Sequence, residues 1–117
     1  MIEILDWKDR WPNFNPSEIA CRGSGELKIN MFALDCLQRL RNRWNRPIPI
    51  SSGYRSPEYN ARVGGAPKSY HLLGQAFDIP IVDEDFNLMA LASGFNGIGR
   101  YRTFVHLDTG PPRTWRG

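Results

Sequence analysis

The sequence predicts an α+β fold with a small antiparallel sheet flanked by helices. Three observations support this prediction. Apolar residues recur at helical spacing in residues 31–44, and several short segments in the second half of the chain have the composition of strands. The eleven glycines and nine prolines favour a loop-rich chain over a helix bundle. A chain of 117 residues suits one compact core, so we expect residues 1–117 to form a single domain.

In the first half of the chain the strongest helical pattern covers Met31–Trp44. Asn30 is a suitable N-cap for this helix, and its apolar residues share one face. Residues 1–29 are predicted to be irregular, with a turn or short helix start at 16–18 and apolar anchors at Trp7, Trp11 and Phe14.

The second half of the chain predicts alternating short strands and helices. A helix capped by Ser56 runs from Pro57 to about Arg62, and another capped by Asp83 ends near Gly94. The predicted strands are 47–54, 74–79, 97–102 and 103–109, of which the last two form a hairpin followed by a tail containing Pro111, Pro112 and Trp115.

Hydropathy and charge narrow the range of functions. No apolar run approaches the roughly 20 residues that span a bilayer. Residues 1–10 mix acids and bases where a signal peptide needs an apolar stretch, so we expect cytoplasmic synthesis without a signal peptide. We also expect the protein to be a monomer. The net charge of +3 is compatible with an anionic polymer such as a cell wall or a nucleic acid. The basic residues are scattered rather than clustered, which disfavours nucleic acid.

The two cysteines do not have a metal-binding spacing. Cys21 and Cys36 are too far apart for a CxxC pair. Cys36 lies on the apolar side of the predicted helix 31–44, which favours a buried free thiol; a disulfide between the two would require an oxidising compartment.

Both histidines of the chain lie in apolar segments with a carboxylate close by. Two neutral imidazoles and one carboxylate form a three-ligand set that leaves one zinc position open for water. Asp78 would be costly in the apolar strand 76–79 unless it were paired or bound to metal. Two core histidines and an aspartate paired with an arginine are the alternative that spacing alone leaves open.

Asp108 follows His106 by two residues, so both side chains leave the same face of a strand. The carboxylate is therefore placed to act as a general base or to orient an imidazole. Sequence geometry does not choose between the two roles.

Three motifs together resemble the zinc D-alanyl-D-alanine carboxypeptidase family, which belongs to a wider group with the lysostaphin-type peptidases and the hedgehog signalling domain. The chain is similar to a small single-domain branch, which also carries Asn60-x-x-Val63-Gly64-Gly65-Ala66 and Gly97-Ile98-Gly99-Arg100-Tyr101, and the match runs from about Phe14 to Trp115. The three motifs are Ser51-Ser52-Gly53-Tyr54-Arg55, Ser69-x-His71-x-x-Gly74-x-Ala76-x-Asp78 and Val105-His106-x-Asp108.

The resemblance implies that the zinc ligands are His71, Asp78 and His106. It implies that Arg55 holds a substrate carboxylate or stabilises the oxyanion, for which a planar guanidinium is suited. Ser69 contacts substrate or fixes its loop, with a simple capping role as the alternative.

The sequence departs from the wider group near the last histidine. Several members have a glutamate three residues before that ligand or a histidine two before it, where this chain has Thr103 and Phe104. Asp108 is the remaining carboxylate, so it is predicted to be the base, with the orienting role as the alternative. Tyr101 is a candidate donor to the tetrahedral intermediate, or else a rim residue.

The function predicted on this basis is zinc-dependent hydrolysis of a peptide bond in the stem peptides of bacterial peptidoglycan, at a bond involving a D-amino acid. A phage-type lysis enzyme acting on the wall after release is the expected setting. The alternative is a non-catalytic wall-binding or phage structural module that retains the zinc site.

Overall fold

The computed structural model describes residues 4–117, with side chains from Trp7 onward. The predicted α+β class is confirmed. The helices are α1 (Ile4–Arg10), α2 (Pro16–Ile19), α3 (Met31–Trp44), α4 (Pro57–Arg62) and α5 (Glu84–Ser93), with a 3₁₀ helix over Tyr70–Leu73. The strands are β1 (Ala76–Ile79), β2 (Gly97–Arg100), β3 (Val105–Asp108) and β4 (Arg113–Arg116).

The three helices for which a capping residue was predicted, α3, α4 and α5, begin directly after that residue. The side chains of Asn30, Ser56 and Asp83 accept hydrogen bonds from the backbone N–H groups three residues later, at 2.9, 3.2 and 3.0 Å. Each cap satisfies one of the N–H groups that a helix start leaves without a partner.

The irregular structure predicted for residues 1–29 is wrong where α1 forms, whereas α2 begins at the short helix start predicted for 16–18. Residues 1–3 lie outside the described residues. Tertiary contacts stabilise this region. Trp7 Nε1 donates to the carbonyl of Phe14 at 2.7 Å, and the predicted anchors Trp7, Trp11 and Phe14 are all buried.

The four strands form one mixed sheet in the order β1-β3-β2-β4. β3 is antiparallel to both of its neighbours, but β4 pairs parallel to β2, so the prediction of a wholly antiparallel sheet with a terminal tail is wrong at β4. The chain reverses after β3, yet both edges of β3 are already occupied by β1 and β2. The returning segment therefore pairs with the free edge of β2, which runs in the same direction.

Residues 47–54, predicted as a strand, form one bridge between Ser52 and Asp78 instead. Pro47 and Pro49 lack backbone donors, and beyond Ser52 the backbone leaves the sheet edge. The N–H of Tyr54 donates to Ile19 and that of Arg55 to His71, at 2.8 and 3.1 Å. These bonds bring Arg55 to the 3₁₀ helix.

The hydrophobic core lies on one face of the sheet, against α3 and α5. The alternate residues of β1 and β3 that enter this core are Phe77, Ile79, Val105 and Leu107. The residues between them point to the opposite face, where the polar site lies. Both cysteines are buried free thiols, as favoured for Cys36. Among the residues described, no helix has the length and apolar character needed to cross a membrane.

Candidate metal centre and cleft

Three separate elements bring the predicted ligands together. His71 lies in the 3₁₀ helix, Asp78 in β1 and His106 in β3, and one ligand atom from each lies within 4.8 Å of the other two. The β1–β3 register places Asp78 directly opposite His106. Gly74 ends the 3₁₀ helix with a φ of 70°, a conformation that glycine adopts without strain, and so returns the chain from His71 towards β1.

The hydrogen bonds of the two imidazoles fix which nitrogen of each ring is free. Nδ1 of His71 lies 2.7 Å from the carbonyl of Gly53, which accepts only, so Nδ1 donates and the lone pair is on Nε2. Nε2 of His106 lies 2.7 Å from Oδ2 of Asp108, so this nitrogen donates and the lone pair is on Nδ1.

The two free nitrogens both face the same carboxylate oxygen. Oδ1 of Asp78 lies 3.2 Å from Nε2 of His71 and 3.0 Å from Nδ1 of His106. Three possible electron-pair donors therefore converge on one point, where a metal cation can bind in place of a proton on one of the imidazoles. Two imidazole nitrogens and one carboxylate oxygen are ligands that suit Zn²⁺ and leave a fourth position open.

Charge at this point is concentrated on Asp78. Burial opposes its ionisation, but contacts with His106 and His71 outweigh burial and hold the pKa of the carboxyl well below its usual range. The other oxygen, Oδ2, accepts a hydrogen bond from Nη2 of Arg55 at 3.0 Å. Arg55 thus leaves Oδ1 to the histidines and fixes the orientation of the carboxylate.

Asp108 lies behind His106 and is fully buried. Its Oδ1 accepts from the N–H of Gly110 and from Nη1 of Arg113, both at 2.9 Å; its Oδ2 accepts from Nη2 of Arg113 and Nε2 of His106, both at 2.7 Å. Four donors occupy a carboxylate that has no exposed surface. Of the two roles left open by the sequence, this geometry favours orientation of His106.

Two residues of β4, Arg113 and Trp115, reach the site because glycines in the neighbouring strand β2 leave space for their side chains. The sheet register aligns Asp108 with Gly97 and Arg113, and His106 with Gly99 and Trp115. A Cβ at Gly97 would collide with the Asp108–Arg113 pair, and one at Gly99 with the Trp115 indole. The glycines therefore let β4 side chains reach across β2, and Trp115 lies against the His106 ring at 5.3 Å between centroids.

Arg113 was not among the predicted site residues, because the segment that carries it was predicted to be a tail. A signal was present: two adjacent β-favouring residues lie between Arg113 and Arg116, and two prolines precede the segment. A turn separates Arg113 from its partner Asp108, and the sequence pattern does not indicate where the chain returns to the sheet after that turn.

The other predicted site residues lie around the metal ligands in different roles. The remaining nitrogens of Arg55 donate to Ser52 Oγ at 3.1 Å and Asn60 Oδ1 at 3.3 Å. Ser69 Oγ accepts from the N–H of His71 at 3.2 Å and caps the 3₁₀ helix, which is the capping role given as the alternative. The Tyr101 hydroxyl accepts from Nε1 of Trp115 at 2.9 Å and retains its own hydrogen for another acceptor.

The ligand set opens into a cleft of about 510 Å³. Arg100 lies outside it and pairs with Glu84. The cleft is lined by the three ligands, by Arg55, Val63, Gly64, Gly65, Ala66, Lys68, Ser69 and Tyr70, and by Tyr101, Phe104, Arg113 and Trp115. One side of the ligand cluster is thus accessible to a substrate the size of a short peptide.

The family model for peptidase M15 matches residues 12–108. The chain belongs to the peptidase M15 family. The match includes all three ligands and Asp108, and it ends before β4. It confirms the family predicted from the sequence motifs.

Curated relatives of the chain are named as peptidoglycan endopeptidases or as a D-Ala-D-Ala carboxypeptidase. It is 39% identical over 85 residues to the probable peptidoglycan L,D-endopeptidase MepK of Haemophilus influenzae, covering 62% of this chain and 45% of the relative. The MepK of Escherichia coli K12 is 40% identical over 80 residues, 60% of this chain and 44% of the relative. The zinc D-Ala-D-Ala carboxypeptidase of Streptomyces albus G is 32% identical over 95 residues, 74% of this chain and 36% of the relative.

The chain spans less than half the length of these relatives. The zinc named for the Streptomyces enzyme agrees with the His-Asp-His group found here. This peptidase M15 chain thus contains a ligand set that could hold the predicted Zn²⁺.

Zinc binding to this candidate site is expected to strengthen as pH rises. Burial lowers the pKa of His106, but its contacts with Asp108 and Asp78 outweigh burial and raise the pKa above the ordinary value of 6.5. In the metal-free protein the bound proton stabilises the fold fully below about pH 6.5, and this stabilisation is lost as pH rises through the raised pKa. Zinc competes with that proton.

Competition with a fluorescent zinc chelator at a series of pH values measures this effect. The apparent zinc affinity should rise through the pH interval below the raised pKa of His106 and level off above that pKa. An affinity that is flat or falls across this interval would contradict the assignment of His106 as a ligand.

Proposed function

We propose that this peptidase M15 chain is a zinc-dependent enzyme that hydrolyses a peptide bond in the stem peptides of peptidoglycan, at a bond involving a D-amino acid. The observation that carries the proposal is the convergence of three electron-pair donors at the base of an open cleft. The substrates named for the relatives, both peptidoglycan and D-Ala-D-Ala, support the choice of stem peptides.

Each side chain of the site has a proposed task. His71, Asp78 and His106 hold the zinc, which when bound polarises the scissile carbonyl and lowers the pKa of a water molecule towards 7. Arg55 orients Asp78 and keeps two hydrogens that are free to bind a carboxylate or an oxyanion. Tyr101 donates its hydroxyl hydrogen to the oxygen of the tetrahedral intermediate.

Asp108 has a separate task in this proposal. With Arg113 it fixes the tautomer of His106, so that Nδ1 presents its lone pair to the cation. The role of general base for Asp108, predicted from the sequence, stays a prediction that its burial does not favour.

Digestion of purified peptidoglycan tests the proposed function. The zinc-loaded protein should release soluble products whose masses identify the bond cut, and a chelator should stop the release until zinc is restored. Single amino acids among the products indicate a carboxypeptidase, and separated cross-linked stems indicate an endopeptidase. Absence of products at saturating zinc would defeat the proposal, and sedimentation of such an inert protein with cell walls would favour a wall-binding module.

Three finer predictions stay predictions. They are the single peptidase domain over residues 1–117, the monomeric state and the phage-type release. Light scattering of the purified protein tests the second, and lysis of cells that co-express a membrane pore-forming protein tests the third.

A further inference from the structure

The charges that line the cleft are unevenly distributed. Three cations line it, Arg55, Lys68 and Arg113, and the lining contains one carboxylate, that of Asp78. Arg55 donates to Asp78 at 3.0 Å, and Arg113 donates to the buried Asp108 at 2.7 Å. In the part of the chain that the structure describes, Lys68 has no such ion pair.

The unpaired ammonium group makes the cleft attract anions. If the buried Asp108 is counted with the residues that line the cleft, the site has three cationic side chains and two carboxylates. A bound zinc ion adds two further positive charges. A concave site lined by an excess of one charge concentrates ligands of the opposite charge. A substrate with a free carboxylate is therefore favoured over its uncharged equivalent.

The backbone that carries Lys68 is fixed relative to the metal ligands. The N–H of Ser69 and the side-chain amide of Asn60 both donate to the carbonyl of Ala66, at 3.0 and 2.9 Å. Ser69 in turn accepts from the N–H of His71. Lys68, whose side chain is exposed, therefore lies three residues before the proposed zinc ligand His71. Its loop is fixed by the hydrogen bonds at Ala66 and at Ser69.

We infer that Lys68 binds an ionised carboxylate of the substrate that is not part of the scissile bond. The inference rests on the proposed function and specifies its substrate: stem peptides whose side-chain carboxyl groups are free are cleaved in preference to those in which they are amidated. A charge-assisted hydrogen bond at a partly solvated site supports a preference of about tenfold in kcat/KM.

The test uses two synthetic muropeptides, identical except that the side-chain carboxyl groups of the stem are free in one and amidated in the other. The zinc-loaded wild type should cleave the free acid about tenfold faster at limiting substrate. Lys68→Gln should cleave both at similar rates, and Lys68→Glu should favour the amide. Lys28→Gln removes an exposed lysine outside the cleft and should retain the wild-type preference.

Failure of the inference differs from failure of the proposed function. Equal rates for the acid and the amide with the wild type, or an unchanged preference in Lys68→Gln, would overturn the role of Lys68 and leave the peptidase assignment intact. If neither muropeptide is cleaved, the peptidase assignment fails, and calorimetric Kd values of the zinc-loaded protein for the same two compounds decide the inference. A Kd ratio of about ten that Lys68→Gln abolishes would support it, and a ratio of one would overturn it.

Discussion

We expect Asp78→Asn to lower zinc affinity by more than about 100-fold and to reduce peptidoglycan hydrolysis below detection. Loss of a partner outside the ligand set already costs about 10- to 100-fold in metal affinity, and this change removes the one anionic ligand. An asparagine oxygen also lacks the charge that holds Arg55 in place at 3.0 Å. Chelator competition gives the affinity, and release of soluble products gives the activity.

Asp35→Asn is the matched control for Asp78→Asn. Asp35 pairs with Arg10 and accepts from Nε1 of Trp11, and it does not line the cleft. This control should retain zinc and activity at wild-type levels. Zinc binding that survives Asp78→Asn with unchanged affinity would show that the metal, if bound, is held elsewhere.

The family resemblance implied the three candidate ligands of this site, and two of them also leave a local signal in the sequence. Asp78 is a charged residue within an apolar strand, and its burial requires a partner whatever the fold. His106 and Asp108 share a face through the two-residue period of a strand, and the 2.7 Å contact between them follows directly from that period. Local periodicity and the cost of burying charge are properties that a sequence records.

The sequence could not choose between the two roles named for Asp108, because the contacts of this carboxylate depend on strand order. Arg113 reaches Asp108 when β4 pairs with β2, and that pairing is set by which sheet edge remains free after β1 and β2 have taken both edges of β3. Residues 47–54 illustrate the same limit. Their composition favours a strand, but the backbone of Tyr54 and Arg55 finds partners in α2 and the 3₁₀ helix. Competition between distant partners decides both cases.

Asp108→Asn separates the two roles proposed for this carboxylate. An amide offers one acceptor oxygen where the carboxylate offers two, and its NH₂ group must face either Arg113 or Nε2 of His106, both of which are donors here. If the NH₂ group faces Nε2, the imidazole loses the contact that fixes its tautomer; if the oxygen faces Nε2, the NH₂ group faces the N–H groups of Gly110 and Arg113 instead. An orienting residue changed in this way lowers zinc affinity by about 10- to 100-fold.

Activity measured against free zinc concentration distinguishes the two roles. We expect the activity of Asp108→Asn to shift to higher zinc concentration and to return to within a few-fold of the wild type at saturation, because the groups that face the substrate are unchanged. A general base predicts the opposite, a kcat lower by about 10²- to 10⁴-fold with an unaltered zinc affinity. The four donors around the buried Asp108 leave it no free position to accept a proton from water, and a large loss of kcat at saturating zinc would contradict this reading of the site.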